Sequence, residues 1–196
     1  MTRQIPRAAA TALICALSSA NPAAAGCAMD GTNPLDWNAA QIDALYGCIQ
    51  SSMAAAYASA KDPVGRSFRD WTPAATRPAL SGPHGSRLLQ TYANDIAAPQ
   101  YLRFAAEDVA MPPGSILAKE TITLDSAAQM GRIGPLFVMT KLTAGTAPET
   151  QDWLYSTVQP DGRPGTIQQA TCHTCHAAWD DQDMLAYPLE QIRRSN

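Results

Sequence analysis

Near the C-terminal end of the chain stands Cys172-His173-Thr174-Cys175-His176, and no other stretch constrains the fold as tightly. Two thiols three positions apart reach the two vinyl groups of one porphyrin while the adjoining imidazole meets the iron from the same side, which is the attachment pattern of c-type haem. The expectation is one covalent haem c on Cys172 and Cys175, with His176 as the metal ligand and His173 as a spacer at the haem edge. Two other chemistries use the same residue types. A zinc site would take Cys172, Cys175 and one histidine, and would draw its remaining ligands from His84 or distant carboxylates. A thioredoxin-like pair should follow a strand early in a βαβ unit, whereas this pair closes the domain.

The first 25 residues read as a secretory signal. Arg3 and Arg7 precede an apolar run from Ala8 to Leu17 that is far shorter than the roughly 20 residues needed to span a bilayer, and Ala23, Ala24 and Ala25 supply small residues for cleavage. The expected address is the periplasm. Cys15 leaves with the signal, and of the four remaining cysteines Cys27 and Cys48 are expected to pair in an oxidising compartment. Lipidation of Cys27 is the competing use of that thiol, although Ala24 stands where a lipobox usually carries Leu. The chain of 196 residues is one domain in length, and a hydrophobic share of 46% with only 16% charged residues suits a packed core and excludes a disordered polyanion. The net charge is −3 and the few Lys and Arg residues are scattered, so no nucleic-acid partner is expected.

After the signal come a helix and a Pro-rich loop, region 26–82, and then a second region, 83–196. Ile42, Leu45, Ile49, Met53 and Tyr57 recur at helical spacing, which predicts a helix over 36–60 capped by Asn33 or Asp36 and stopped by Asp62-Pro63. Pro63, Pro73, Pro78 and Pro83 make 61–85 an irregular loop that packs down through Phe68 and Trp71. A second helical piece is expected over 86–107, broken near Pro99. Strands follow at Ile116–Leu124, Leu136–Leu142 and Trp153–Val158, with a short fourth near Thr166–Gln168, and their close succession favours an antiparallel sheet. In the first of these strands Leu117, Lys119 and Thr121 share one face, and Ile116, Ala118 and Ile122 the other.

The segments PHGSRLLQTYAND (83–95), MPPGSILAKE (111–120), GPLFVMTKL (134–142), DWLYSTVQPDG (152–162) and CHTCHAAWDDQDMLAYPLEQIR (172–193) resemble the cytochrome P-460 family, which is related to the β-sheet cytochromes c-prime. The resemblance covers residues 83–196 and leaves the N-terminal helical part unaccounted for. It implies an α+β fold in which an antiparallel sheet packs on the covalently bound haem, with a single His ligand and an open sixth position; to this the reading of the residues adds the N-terminal helices and a C-terminal haem-bearing helix. The resemblance further implies ligands such as nitric oxide or hydroxylamine, a periplasmic electron acceptor as partner, and a second copy of the chain as an option. Lys119 resembles the lysine that links covalently to the porphyrin in the hydroxylamine-oxidising members, which makes it the candidate catalytic and cofactor-binding residue; the alternative is an exposed strand lysine. Those members also use a distal carboxylate. Here the matching segment reads Met139-Thr140-Lys141, so the base is missing or comes from Glu120 or Asp152. A non-catalytic electron carrier is the competing function, with Met130 or Met139 as a sixth ligand, and both methionines also read as core residues. His84, among Pro and Gly, reads as a loop residue bonded to the backbone, or as a contact of a haem propionate.

Overall fold

The computed structural model describes residues 26–31 and 33–194, so the signal expected over 1–25 lies outside the described residues. The first long element is α1, Ala39–Ala58. It starts where Asn38 closes a capping box: its side chain accepts from the Gln41 amide at 3.1 Å, while Gln41 accepts from the Asn38 amide at 2.9 Å. Asn33, expected as the cap, instead caps a 3-10 turn over Pro34–Asp36. Leu45, Ile49, Met53, Ala56 and Tyr57 form the buried stripe of α1. The loop after it contains α2, Pro63–Ser67, opened by Pro at its start and by Asp62, whose carboxylate accepts from the Gly65 amide at 2.8 Å. Gly65 is required there, because a Cβ would collide with the Tyr57 carbonyl.

The strands are β1 Gly26–Ala28, β2 Thr72–Pro73, β3 Ala79–Ser81, β4 Arg87–Ala93, β5 Ile116–Asp125, β6 Met130–Ile133, β7 Leu136–Lys141, β8 Trp153–Val158 and β9 Pro164–Gly165. Every pairing is antiparallel, and the nine strands make one curled sheet with β5 as its spine. One edge of β5 carries β4, on which β2 and β3 lie; the other carries β7 along its first half and β6 along its second. From β7 the sheet continues to β8 and β9, and from β6 to β1. The remaining helices are α3, Ala98–Tyr101, and α4, Gln169–His176.

The helix expected over 86–107 is therefore wrong for most of its length: Arg87–Ala93 is a strand, and only Ala98–Tyr101 is helical. Both faces of β4 are covered, so its apolar residues do not alternate with polar ones, and periodicity cannot then separate strand from helix. The fourth strand falls at Pro164–Gly165 rather than near 166–168.

Alternation on the strands sends side chains to two separate layers. Leu88, Tyr92, Ala118, Ile122, Leu136, Val138 and Val158 pack with the stripe of α1 and with Phe68 in one core. Ala93, Leu117, Met139, Trp153 and Tyr155 point the other way, toward α3, α4 and the last segment of the chain. The disulfide Cys27–Cys48 ties β1 to α1 across a Cα separation of 6.2 Å. No helix among the described residues is long and apolar enough to cross a membrane.

Candidate functional site

The second face of the sheet is the floor of a cavity of about 670 Å3. That volume lies within the ~300–1,000 Å3 usual for cofactor and small-molecule sites. Register sets the floor: Thr91 pairs with Lys119 and Lys119 with Phe137, while Leu117 pairs with Met139 and Met139 with Tyr155. The walls come from α4 with Trp179, and from the segment around Leu185 to Leu189.

Helix α4 has no side-chain N-cap, and its first residue is fixed in another way. Gln169 makes two bonds to the backbone of Tyr155, accepting its N–H at 2.9 Å and donating to its carbonyl at 2.6 Å. This clamp lays the helix against β8 so that Cys172, Cys175 and His176, which fall within about one turn of one another, all line the cavity. Cys172 is half-buried and Cys175 exposed, and both thiols are free. Burial and the neighbouring Cys175 push the Cys172 thiol up, the opposite of what a redox-active thiol needs. His173 turns to Tyr155, whose hydroxyl lies 3.5 Å from its Nδ1.

His176 is buried, and its Nδ1 donates to the Met184 carbonyl at 2.7 Å. A carbonyl can only accept, so Nδ1 carries the proton and Nε2 keeps its lone pair for a metal. Burial holds this imidazole below the usual histidine range, against the pull of that hydrogen bond. The carbonyl is placed by a tight reversal in which Asp183 (φ 52°) and Met184 (φ 66°) are both left-handed, a conformation that costs non-glycine residues of order 1–3 kcal/mol each. Three side-chain bonds hold it: the Asp183 carboxylate accepts from the Met111 amide at 2.7 Å, Lys141 Nζ at 2.6 Å and Trp153 Nε1 at 3.1 Å. Past His176 the helix gives way to a 3-10 stretch, Ala177–Gln182, kinked at Trp179, which leads into this reversal.

Lys119 faces the cavity, half-buried, and burial holds its ammonium down to about 8. Neither carboxylate considered as a distal base is there. Glu120 points to the opposite face, where it accepts from Arg69 at 2.5 Å, Tyr46 at 2.5 Å and Tyr92 at 3.1 Å. Asp152 caps a loop, accepting from the amides of Gly145 at 2.9 Å and Ala147 at 2.8 Å. Thr140 is absent from the cavity lining and Lys141 serves Asp183, so no Asp or Glu lines the cavity among the described residues. Met139 is part of its floor, whereas Met130 sits on β6 opposite Ala28.

His84 is a turn residue, as its neighbours Pro83 and Gly85 suggested, and its place in the cavity wall is what the sequence alone did not show. It stands at the tip of the hairpin joining β3 to β4, and its half-buried ring lines the cavity. The ring lies 5.0 Å from that of Phe137 and 6.4 Å from that of His176, between centroids. Burial, with Lys119, His176 and Arg87 nearby, pushes its pKa down to about 3, so the imidazole is neutral.

These residues fit a haem. Two free thiols and an imidazole of fixed tautomer share one rim of an apolar cavity, as thioether attachment and axial ligation require. A zinc staple fares worse, since among the described residues no group of three or more His, Cys, Asp and Glu side chains is arranged to hold a metal ion. A family model described as cytochrome P-460 matches residues 66–186, more than half of the chain, and begins within α2 rather than at residue 83. No curated protein matches the chain.

Proposed function

This chain belongs to the cytochrome P-460 family, and from that premise we propose that it works as a periplasmic mono-haem cytochrome c that would bind small nitrogen species, nitric oxide foremost, at an iron held by His176. Cys172 and Cys175 would hold the porphyrin through thioethers, and His176 would supply the axial imidazole. A haem bound there supplies an iron that takes small ligands and exchanges electrons. Leu117, Phe137, Met139 and Tyr155 give the cavity an apolar lining, and the Met184 carbonyl keeps Nε2 of His176 in its ligating form. The periplasmic address is supported by the signal-like N-terminus and by the Cys27–Cys48 disulfide, which belongs in an oxidising compartment and uses the sulfur that a lipid anchor would need.

The single observation that carries the preference for binding over oxidation is that no Asp or Glu among the described residues lines the cavity. Oxidising hydroxylamine requires removing protons from the bound nitrogen, and the two candidate carboxylates, Glu120 and Asp152, are committed elsewhere. Titration of the reduced protein with nitric oxide, beside a hydroxylamine assay with an artificial electron acceptor, tests this reading. Nitric oxide is expected to bind stoichiometrically and hydroxylamine to turn over slowly or not at all. Failure to bind nitric oxide would leave the electron-carrier reading, and rapid turnover of hydroxylamine would make the chain an oxidoreductase with Lys119 as its candidate catalytic residue.

A further inference from the structure

We propose that Asp183, with Lys141 as its counter-ion, is a positioning residue for the haem: it sets how strongly His176 binds the iron without itself reaching the cavity. The proposal rests on the haem reading above. An imidazole whose Nδ1–H is held by an acceptor is a stronger donor at Nε2 and keeps one ring orientation. For His176 that acceptor is the Met184 carbonyl at 2.7 Å. How firmly the carbonyl is fixed therefore decides both the donor strength and the direction of the axial nitrogen.

The turn that presents this carbonyl is weak by itself. It is closed by the Asp183 amide donating to the Asp180 carbonyl at 3.0 Å and the Met184 amide donating to the Trp179 carbonyl at 2.9 Å. Its two left-handed residues are not glycines, and such a pair persists only where the surroundings over-determine it. Asp183 supplies those surroundings. Besides the three donors on its carboxylate, its main-chain carbonyl accepts from Trp153 Nε1 at 3.0 Å, so the indole grips both the side chain and the backbone of one residue. Lys141 is held in turn, since Nζ also donates to the Gln151 carbonyl at 3.0 Å and lies 5.0 Å from the centre of the Trp153 ring. Desolvation offsets most of the attraction of a buried ion pair, so the geometry it fixes is the better account of this one.

The anchors belong to the same two strands as the cavity floor. Lys141 pairs with Trp153 across β7 and β8, and Met139 with Tyr155 two residues away on the same face. Met139 and Tyr155 line the cavity, whereas Lys141, Trp153 and Asp183 are absent from its lining. One register thus sets the floor under the haem and the carbonyl behind its axial ligand.

The test uses the holoprotein, in which the reduction potential and the iron–histidine stretching frequency of the ferrous haem are read for wild type, Asp183→Asn, Lys141→Met and Lys141→Arg. A slack Met184 carbonyl makes His176 a weaker donor. The stretch should fall and the potential rise in Asp183→Asn and, by less, in Lys141→Met, with haem content unchanged; Lys141→Arg, which keeps the charge, should stay near wild type. The sign in Lys141→Met separates positioning from plain electrostatics, because removing a nearby cation by itself lowers the potential. A lowered potential in Lys141→Met overturns the proposal. So does an Asp183→Asn protein that unfolds more easily in urea but keeps the wild-type stretch and potential. If Asp183→Asn does not fold, the two Lys141 variants decide by the same criteria. A wild type that takes up no haem overturns the haem reading itself, which is a different failure.

Discussion

Lys119 and Glu120 are neighbours on one strand, yet they inhabit opposite electrostatic worlds. Glu120, 1% exposed, is bound by Arg69, Tyr46 and Tyr92, and the two tyrosine hydroxyls lie 2.9 Å from each other. Burial lifts its carboxyl above the ordinary range while Arg69 and the hydroxyls pull it back. Lys119 looks into a cavity whose described lining holds no carboxylate, and burial alone brings its ammonium down. On the helix-covered face the buried carboxylate of Glu120 is held by three side chains, although Arg69 Nε, Trp37 Nε1 and Gln90 Oε1 are left without partners among the described residues. The cavity face leaves Lys119 and His84 without such partners, and that is the condition of a face built for a guest.

Breaking the satisfied side should have the largest effect. Glu120→Ala leaves the Arg69 guanidinium under α1 without its carboxylate, and the expected loss is about 3–5 kcal/mol in urea unfolding. The haem spectrum should be unaltered, because the side chain never reaches the cavity. A spectrum that moves as much as the stability would contradict the separation of the two faces. Removing the Cys27–Cys48 crosslink as the double Ser variant comes next, with a loss of about 3 kcal/mol for a loop of this length. Both thiols alkylating in the denatured wild type without reductant would remove the basis for that figure.

The smallest effect is expected on the cavity side and depends on pH. The Lys119 pKa is lowered to about 8 in the folded chain, against the ordinary 10.5. Between those values the unfolded chain binds more protons, so stability rises with pH through this window, and the penalty is fully present below about 8. Lys119→Met should therefore stabilise the protein at pH 7, by an amount reduced through solvent screening at this half-buried site, and the gain should shrink toward pH 10.5. Paired urea melts at pH 7 and pH 10 read this directly. A gain that stays constant with pH would mean that packing, not charge, distinguishes the variant.

Much of the satisfied side was legible in the sequence, because local pattern determines it. The stripe Leu45, Ile49, Met53, Tyr57 announced α1, and the two cysteines outside the haem motif announced their own pairing. Alternation in Ile116–Leu124 placed Lys119 on the face of Leu117, and the structure places both in the cavity floor. What escaped depends on distant parts of the chain meeting. Strand β4 is covered on both faces and so lost its period, and β1 and β6 are too short to carry one. Glu120 could not be excluded as a cavity base until Arg69 and Tyr46 were seen to hold it. His84 reads as an ordinary turn residue, since where a hairpin tip points is decided by what it folds onto, here Phe137. The reversal at Asp183 and Met184 gives no local signal, because neither residue type demands a positive φ.

We propose that the guest for which this cavity is built is a covalent haem carried by α4. The most direct measurement is the intact mass, with a pyridine haemochrome spectrum, of protein exported in a host that matures cytochromes c. The expected result is the processed polypeptide plus one haem and a haemochrome of two thioether bonds, both lost in Cys172→Ala/Cys175→Ala. A mass equal to the polypeptide alone, with Cys172 and Cys175 both open to alkylation, would contradict it.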